Sequence, residues 1–171
     1  MTFSASPLLL AIVLSFVHSL YIIARPYCVE LARVPGSTVW WPPTVSSKGE
    51  HEAGVLVFAP SSPLNFTNAE HICGKIMSAI AAQSGPVKLL VIEANGIIDI
   101  DYTGSQTRSR AITNIRARNI DVAIARLSDG RAQTQARRTG LIDAIGLERV
   151  FMSVEEAVQK LGPRAQNHVR E

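Results

Sequence analysis

The chain has 171 residues, of which 47% are hydrophobic, with 17 Lys and Arg, 14 Asp and Glu, and a net charge of +3. That length allows one ordinary globular domain plus an appendage. So mild a charge, with no basic run interleaved with aromatics, argues against nucleic acid as a partner, and Cys28 and Cys73, far apart and without CxxC spacing, argue against a disulfide framework or a metal site and for reduced cytoplasmic thiols.

From Met1 to Ala24 there is no charged residue. The run SPLLLAIVLSFVHSLYIIA, residues 6–24, is long enough to cross a bilayer core, which takes about 20 residues. A secretory signal calls for Lys or Arg ahead of the run and a small-residue cleavage site behind it, and neither is clear. A buried core helix is usually shorter and amphipathic, whereas this run is apolar on every side. The expectation is one transmembrane helix. His18 within it marks either a packing contact or an anion path. Arg25 and Arg33 follow the span and no cation precedes it, so the positive-inside tendency puts the N-terminus outside and the rest in the cytoplasm. There the sequon Asn65-Phe66-Thr67 is out of reach of glycosylation.

Residues 25–53 are broken by Pro26, Pro35-Gly36 and Pro42-Pro43, and read as a linker with one short strand. Trp40 and Trp41 either sit at headgroup level or pack on the domain that follows. That domain is expected over 54–162. GVLVFAP (54–60) is a strand. A helix follows, with Thr67 and Glu70 as a capping box and Ile72, Cys73, Ile76, Met77 and Ile80 on one buried face. VKLLVIEANGI (87–97) has the continuous apolar character of a central strand covered on both faces. A helix over 104–118, with Ile112 and Ile115 inward, a strand over 120–127 and a helix over 130–139 closed by Gly140 come next. LIDAIG is a short turn of helix and RVFMS a short strand. SVEEAVQKL carries a second capping box, Ser153 with Glu156, and 163–171 is a polar tail. Strands alternating with helices predict an α/β sandwich.

Catalytic signatures are absent: no G-x-G-x-x-G, no P-loop, no H-E-x-x-H and no G-x-S-x-G. His51 and His71 lack ligand-spaced partners and read as surface residues. Asp99 and Asp101 have the spacing of an acid–base pair, yet nothing specifies a pocket around them. No enzyme activity, metal or cofactor is expected. Eight arginines between Arg108 and Arg138, beginning with Arg108, Arg110 and Arg116, make either a solvated face or a stripe that attracts the anionic inner leaflet, at about 1 kcal/mol per residue near the surface.

Three ordered blocks, RPYCVELARVPGSTVW, GVLVFAPSSPLNFTNAEHI, and the stretch from PVKLLVIEANGIIDIDYTG through RRTGLIDAIGLERVFMSVEEAV, resemble the C-terminal end of a SulP-type sulfate permease: its last membrane helix and the cytoplasmic STAS domain. In the first block Leu31, Arg33, Val34, Pro35 and Gly36 match the family's exit from the membrane, while Ala32 replaces a glycine. The resemblance implies a mixed β-sheet flanked by helices and preceded by one membrane helix, with a regulatory or assembly role in anion transport. The implied partners are a transmembrane transporter body, another STAS domain, or a cytosolic protein or nucleotide. It also puts the turn of Asp101, Thr103 and Gly104 at a loop that is phosphorylated in the small STAS proteins that antagonise anti-sigma factors. Thr103 is then either a phosphorylation site or the N-cap of the next helix.

Two departures stand out. Family members have a dozen or more spans and this sequence has one, so transport by this polypeptide alone is physically implausible. The helix after the turn also carries Arg108, Ser109, Arg110 and Ala111 where the family has a large apolar and several acidic residues.

Overall fold

The computed structural model describes residues 5–44 and 48–163. Helix α1 (Ala5–Ala24) is followed, after Arg25-Pro26-Tyr27, by β1 (Cys28–Arg33) and a two-residue β2 (Trp40–Trp41). Then come β3 (Val55–Pro60), α2 (Ala69–Ala82), β4 (Leu89–Glu93), α3 (Ser105–Arg116), β5 (Asp121–Ala125), α4 (Gly130–Arg138), α5 (Leu141–Ile145), β6 (Val150–Phe151) and α6 (Val154–Leu161). They build one mixed sheet in the order β2-β1-β3-β4-β5-β6. β1 runs antiparallel to β2 and β3, and β3 to β6 are mutually parallel.

The apolar runs explain this order. Leu89, Leu90 and Val91 of β4 are completely buried because the strand has helices on both faces. On one face Leu56, Phe58, Leu90, Val122 and Ile124 meet the inward residues of α2, α3, α4 and α5, including Ile72, Ile76, Ile112, Ile115, Ala132, Ala136 and Leu141. On the other, Leu31, Val57, Leu89, Val91 and Ala123 meet Val154, Ala157 and Val158 of α6. The expected sandwich is therefore present as three layers. Two end signals act as expected. Gly140, at φ +73, follows the last turn of α4, and Ser153 Oγ accepts from Glu156 N at 3.1 Å; the return bond of the box is shifted by one residue, Glu156 Oε2 accepting from Met152 N at 3.2 Å.

The stretch 25–53, expected as a linker with one short strand, contributes two strands to the sheet. β1 pairs with β3 from Cys28–Pro60 to Leu31–Val57, and β2 pairs with the end of β1. Prolines confined to the flanks leave the Cys28–Arg33 backbone free to pair. Trp40 is buried, and its Nε1 donates to Glu155 at 3.0 Å, so the packing alternative describes it and the headgroup alternative does not. Of the polar tail, Arg164 onward lies outside the described residues.

α1 is long and apolar enough to cross a membrane, and none of its apolar window, Pro7–Ala24, is buried against the other described residues.

Candidate functional site

The parallel strands β3 and β4 end side by side, and the loops leaving them are zipped together. Leu64 N donates to Asp99 O at 2.8 Å and Asp101 N donates to Leu64 O at 2.9 Å. This pairing delivers the DYTG turn to the start of α2. There the Asp101 carboxylate organises both loops: one oxygen accepts from Phe66 N at 2.8 Å, the other from Gly104 N at 2.9 Å. Asp101 is the residue that secures the entry to α3.

Thr103 is not the N-cap. That position belongs to Gly104, with no side-chain capping bond, and Thr103 is exposed beside Tyr102. The physical reason is that Asp101 already holds the Gly104 N–H through a three-residue turn of the kind Asp side chains favour. Gly104 is required by crowding rather than by dihedral angle. Its φ of −78 is ordinary, but a Cβ there would lie 2.6 Å from Arg108 Nη1 and 3.0 Å from Asp101 Oδ1.

Arg108 does not belong to an exposed basic stripe. It is only 6% exposed and turns back under the loop, donating through Nη2 to Asp101 O and through Nη1 to Leu64 O, with Nη1 also 3.6 Å from Asp101 Oδ1. Burial pulls its pKa down and the Asp101 charge offsets part of that pull. Its Nε is buried and has no partner among the described residues. The Cys73 thiol nearby is pushed up by burial, with the Arg108 charge opposing, which fits an inert core thiol.

Arg116 likewise turns to the protein, donating to the carbonyls of Ala144 and Ile145 at the C-terminal end of α5. Arg110 is exposed. Asp99 pairs with Arg131 at 3.1 Å, so Asp99 and Asp101 are engaged by different partners and do not form a dyad.

Sequence reasoning read Asn65 only as part of a sequon and passed over Asn68. Asn65 Oδ1 accepts from Thr67 N and Asn68 N, which replaces the expected Thr67–Glu70 capping box. Asn68 is fully buried and ties the loop to the last turn of α1, donating through Nδ2 to Pro63 O at 2.9 Å and to Ile23 O at 3.4 Å. The sequence signal for their structural part was their place in the block PLNFTNA.

Past the ends of β4, β5 and β6 lies a groove of about 460 Å³, with Arg126 and Arg137 beside an apolar wall that includes Leu147, Phe151 and Met152. Arg126 has a left-handed backbone at φ 58 and pairs with the buried Glu93 at 3.5 Å.

A family profile described as the STAS domain matches residues 48–157. The chain belongs to the STAS domain family. It is homologous to sulfate transporters over most of its length, for example 25% identical over 154 residues to probable sulfate transporter 3.5 of Arabidopsis thaliana, covering 89% of this chain and 24% of that protein. A probable sulfate transporter of Mycobacterium tuberculosis is 27% identical over 151 residues, covering 88% of this chain and 27% of that one. The chain thus spans about a quarter of the length of the curated relatives it matches. Among solved structures, the murine Solute Carrier 26 family member A9 anion transporter superposes with a TM-score of 0.77 at 17% identity, over 94% of this chain and 25% of that one. The isolated STAS domain of a SulP transporter from Vibrio cholerae superposes with a TM-score of 0.55 at 18% identity, over 72% of this chain and 91% of that one. The first two relatives are named as sulfate transporters and the murine structure as an anion transporter, while the Vibrio cholerae structure is named as the STAS domain of a SulP transporter.

Proposed function

We propose that this chain is a membrane-anchored STAS domain of a sulfate- or anion-permease-like protein, with a regulatory or assembly role in anion transport. The observation that supports it is the junction itself: an apolar helix of 20 residues joined through Arg25-Pro26-Tyr27 to the first strand of a STAS sheet. α1 crosses the membrane once, with the N-terminus outside and the STAS domain in the cytoplasm, as the Arg25 and Arg33 side of the span favours. Its partners are a transmembrane transporter body and other STAS domains. Ion movement belongs to that body, because a single helix cannot enclose a hydrophilic path. The groove beside Arg126 and Arg137 is the place for a cytosolic protein or nucleotide, and exposed Arg110 has a free approach to the inner leaflet.

The test is expression of the full chain followed by alkaline washing of the membranes and protease treatment from each side. Retention in the pellet, with the STAS domain digested only from the cytoplasmic face, is the expected result. Release by alkali removes the anchoring reading.

The exposed hydroxyl of Thr103 at the start of α3, unused for capping, favours a second reading: a signalling switch of the anti-sigma-factor-antagonist type. Incubation with a cognate kinase that leaves no phosphate on Thr103 would eliminate it.

A further inference from the structure

We infer that the pole of the domain bearing the DYTG turn lies in the lipid headgroup layer, with Tyr27, Phe66 and Tyr102 as its interfacial anchors. This rests on the membrane-anchored reading of α1. The first support is chain geometry. Only three residues separate the end of α1 from Cys28, a reach of about 14 Å at full extension. Asn68 shortens it further by bonding the Ile23 carbonyl inside the last apolar turn.

Three hydrogen bonds then carry this position into the loops. Ser61 N donates to Tyr27 O at 3.0 Å, Asn68 Nδ2 donates to Pro63 O at 2.9 Å, and Phe66 N donates to Asp101 at 2.8 Å. The exit of α1, the loop after β3 and the DYTG turn therefore form one hydrogen-bonded pole.

Its surface chemistry is that of a bilayer interface. Tyr27, Phe66 and Tyr102 are 70%, 64% and 76% exposed, an expense of apolar surface that water does not reward. Two carry hydroxyl tips, which suits a side chain with an apolar body and a wet end. Arg25 adds a cation at the same level, stacked over Tyr21 at 5.4 Å to the ring centroid. The three rings sit on separate loops, each standing out, unlike the packed pocket that anchors a protein partner. The lipid headgroup layer is the occupant these features fit.

The strands supply an internal control. β3 and β4 run away from their first residues toward this pole, so Lys88 at the start of β4 lies about 20 Å from it. β1 runs the opposite way, which puts Trp40 and Trp41, paired with Arg33 and Ala32, at the far end as well.

The experiment uses the full chain reconstituted in phosphatidylcholine vesicles containing a headgroup-nitroxide phosphatidylcholine, with tryptophan quenching as readout. The native Trp40 and Trp41 provide a weakly quenched background. Phe66→Trp and Tyr102→Trp add emission that the nitroxide quenches to about twice the extent seen with Lys88→Trp. Circular dichroism of each variant checks that these exposed substitutions leave the fold intact. Equal quenching at all three positions, in chains that survive an alkaline wash, overturns the inference and assigns the rings to a protein partner. A chain that the wash releases refutes the anchoring reading instead, and the inference with it.

Discussion

Arg33 at the end of β1 donates through Nε to Glu155 of α6 at 3.1 Å, joining residues 122 positions apart. The same guanidinium reaches Glu52 at 2.8 Å and stacks on Trp40 at 5.0 Å, while Trp40 Nε1 donates to the same oxygen of Glu155. With Arg33 20% exposed and Glu155 14%, this is a largely desolvated cluster that clamps the β1–β2 edge to the sheet's α6 side.

Removing the cation leaves two carboxylates facing each other across a partly buried site. Arg33→Ala is expected to destabilise the domain by about 2 kcal/mol, below the range for fully buried pairs because some solvent reaches the site. Urea melts of the detergent-solubilised chain measure it. A loss under about 0.5 kcal/mol, the level of an ordinary surface change, would mean that the edge is held by its backbone pairing alone.

Glu93 gives a pH-dependent prediction. Burial pushes its carboxyl above the usual range, and the Arg126 charge and the Asn95 N–H pull it only partly back. The folded state therefore binds this proton more tightly than the unfolded one. Stability from this group is greatest in acid and falls as pH rises from the ordinary glutamate range through the raised value. Glu93→Gln removes that fall, so the variant gains on the wild type as pH rises from the ordinary glutamate range toward neutral. Thermal melts across that interval yielding parallel curves for the two proteins would contradict it.

These residues also mark where the sequence was readable. Leu89 to Ile92 announced a central strand because burial on both faces leaves no polar residue in the run. Ile72 and Ile76, and the Ser153–Glu156 box, act through neighbours within one or two helical turns, so spacing alone was enough. A short strand was legible within 25–53 but its place in the sheet was not, because CVELAR owes its strand to pairing with β3, some thirty positions on, between proline-rich flanks. At the start of α2 the expected cap was Thr67, although Asn65 and Asn68 close by are equally able to cap, and local pattern does not rank the three. Arg108 looked like a surface charge because its acceptors are on other loops; Leu64 is 44 positions away.

That burial makes Arg108 a structural residue. Its fork holds two loop carbonyls and faces the Asp101 charge. Arg108→Ala unpairs these groups and opens a void, with an expected loss of about 2–4 kcal/mol. Arg108→Lys restores the charge but not the fork geometry, and recovers less than half of the loss. Full recovery by lysine in urea melts would show that charge alone matters there.

The turn itself separates its two polar residues. Asp101→Ala takes the acceptor away from Phe66 N and Gly104 N and leaves Arg108 without its counter-charge. The expected cost is about 2 kcal/mol, since charge-assisted bonds to buried or half-buried partners exceed neutral ones. Thr103→Val removes a hydroxyl that caps nothing and changes stability by less than about 0.5 kcal/mol. A true N-cap would instead cost about 1 kcal/mol on losing its oxygen. Melting both variants beside the wild type decides the matter: a loss at Thr103 matching that at Asp101 would return capping to the threonine. The expected asymmetry leaves the Thr103 hydroxyl free of structural duty, so that a Thr103→Val protein with unchanged stability becomes the clean reagent for any phosphorylation assay on this turn.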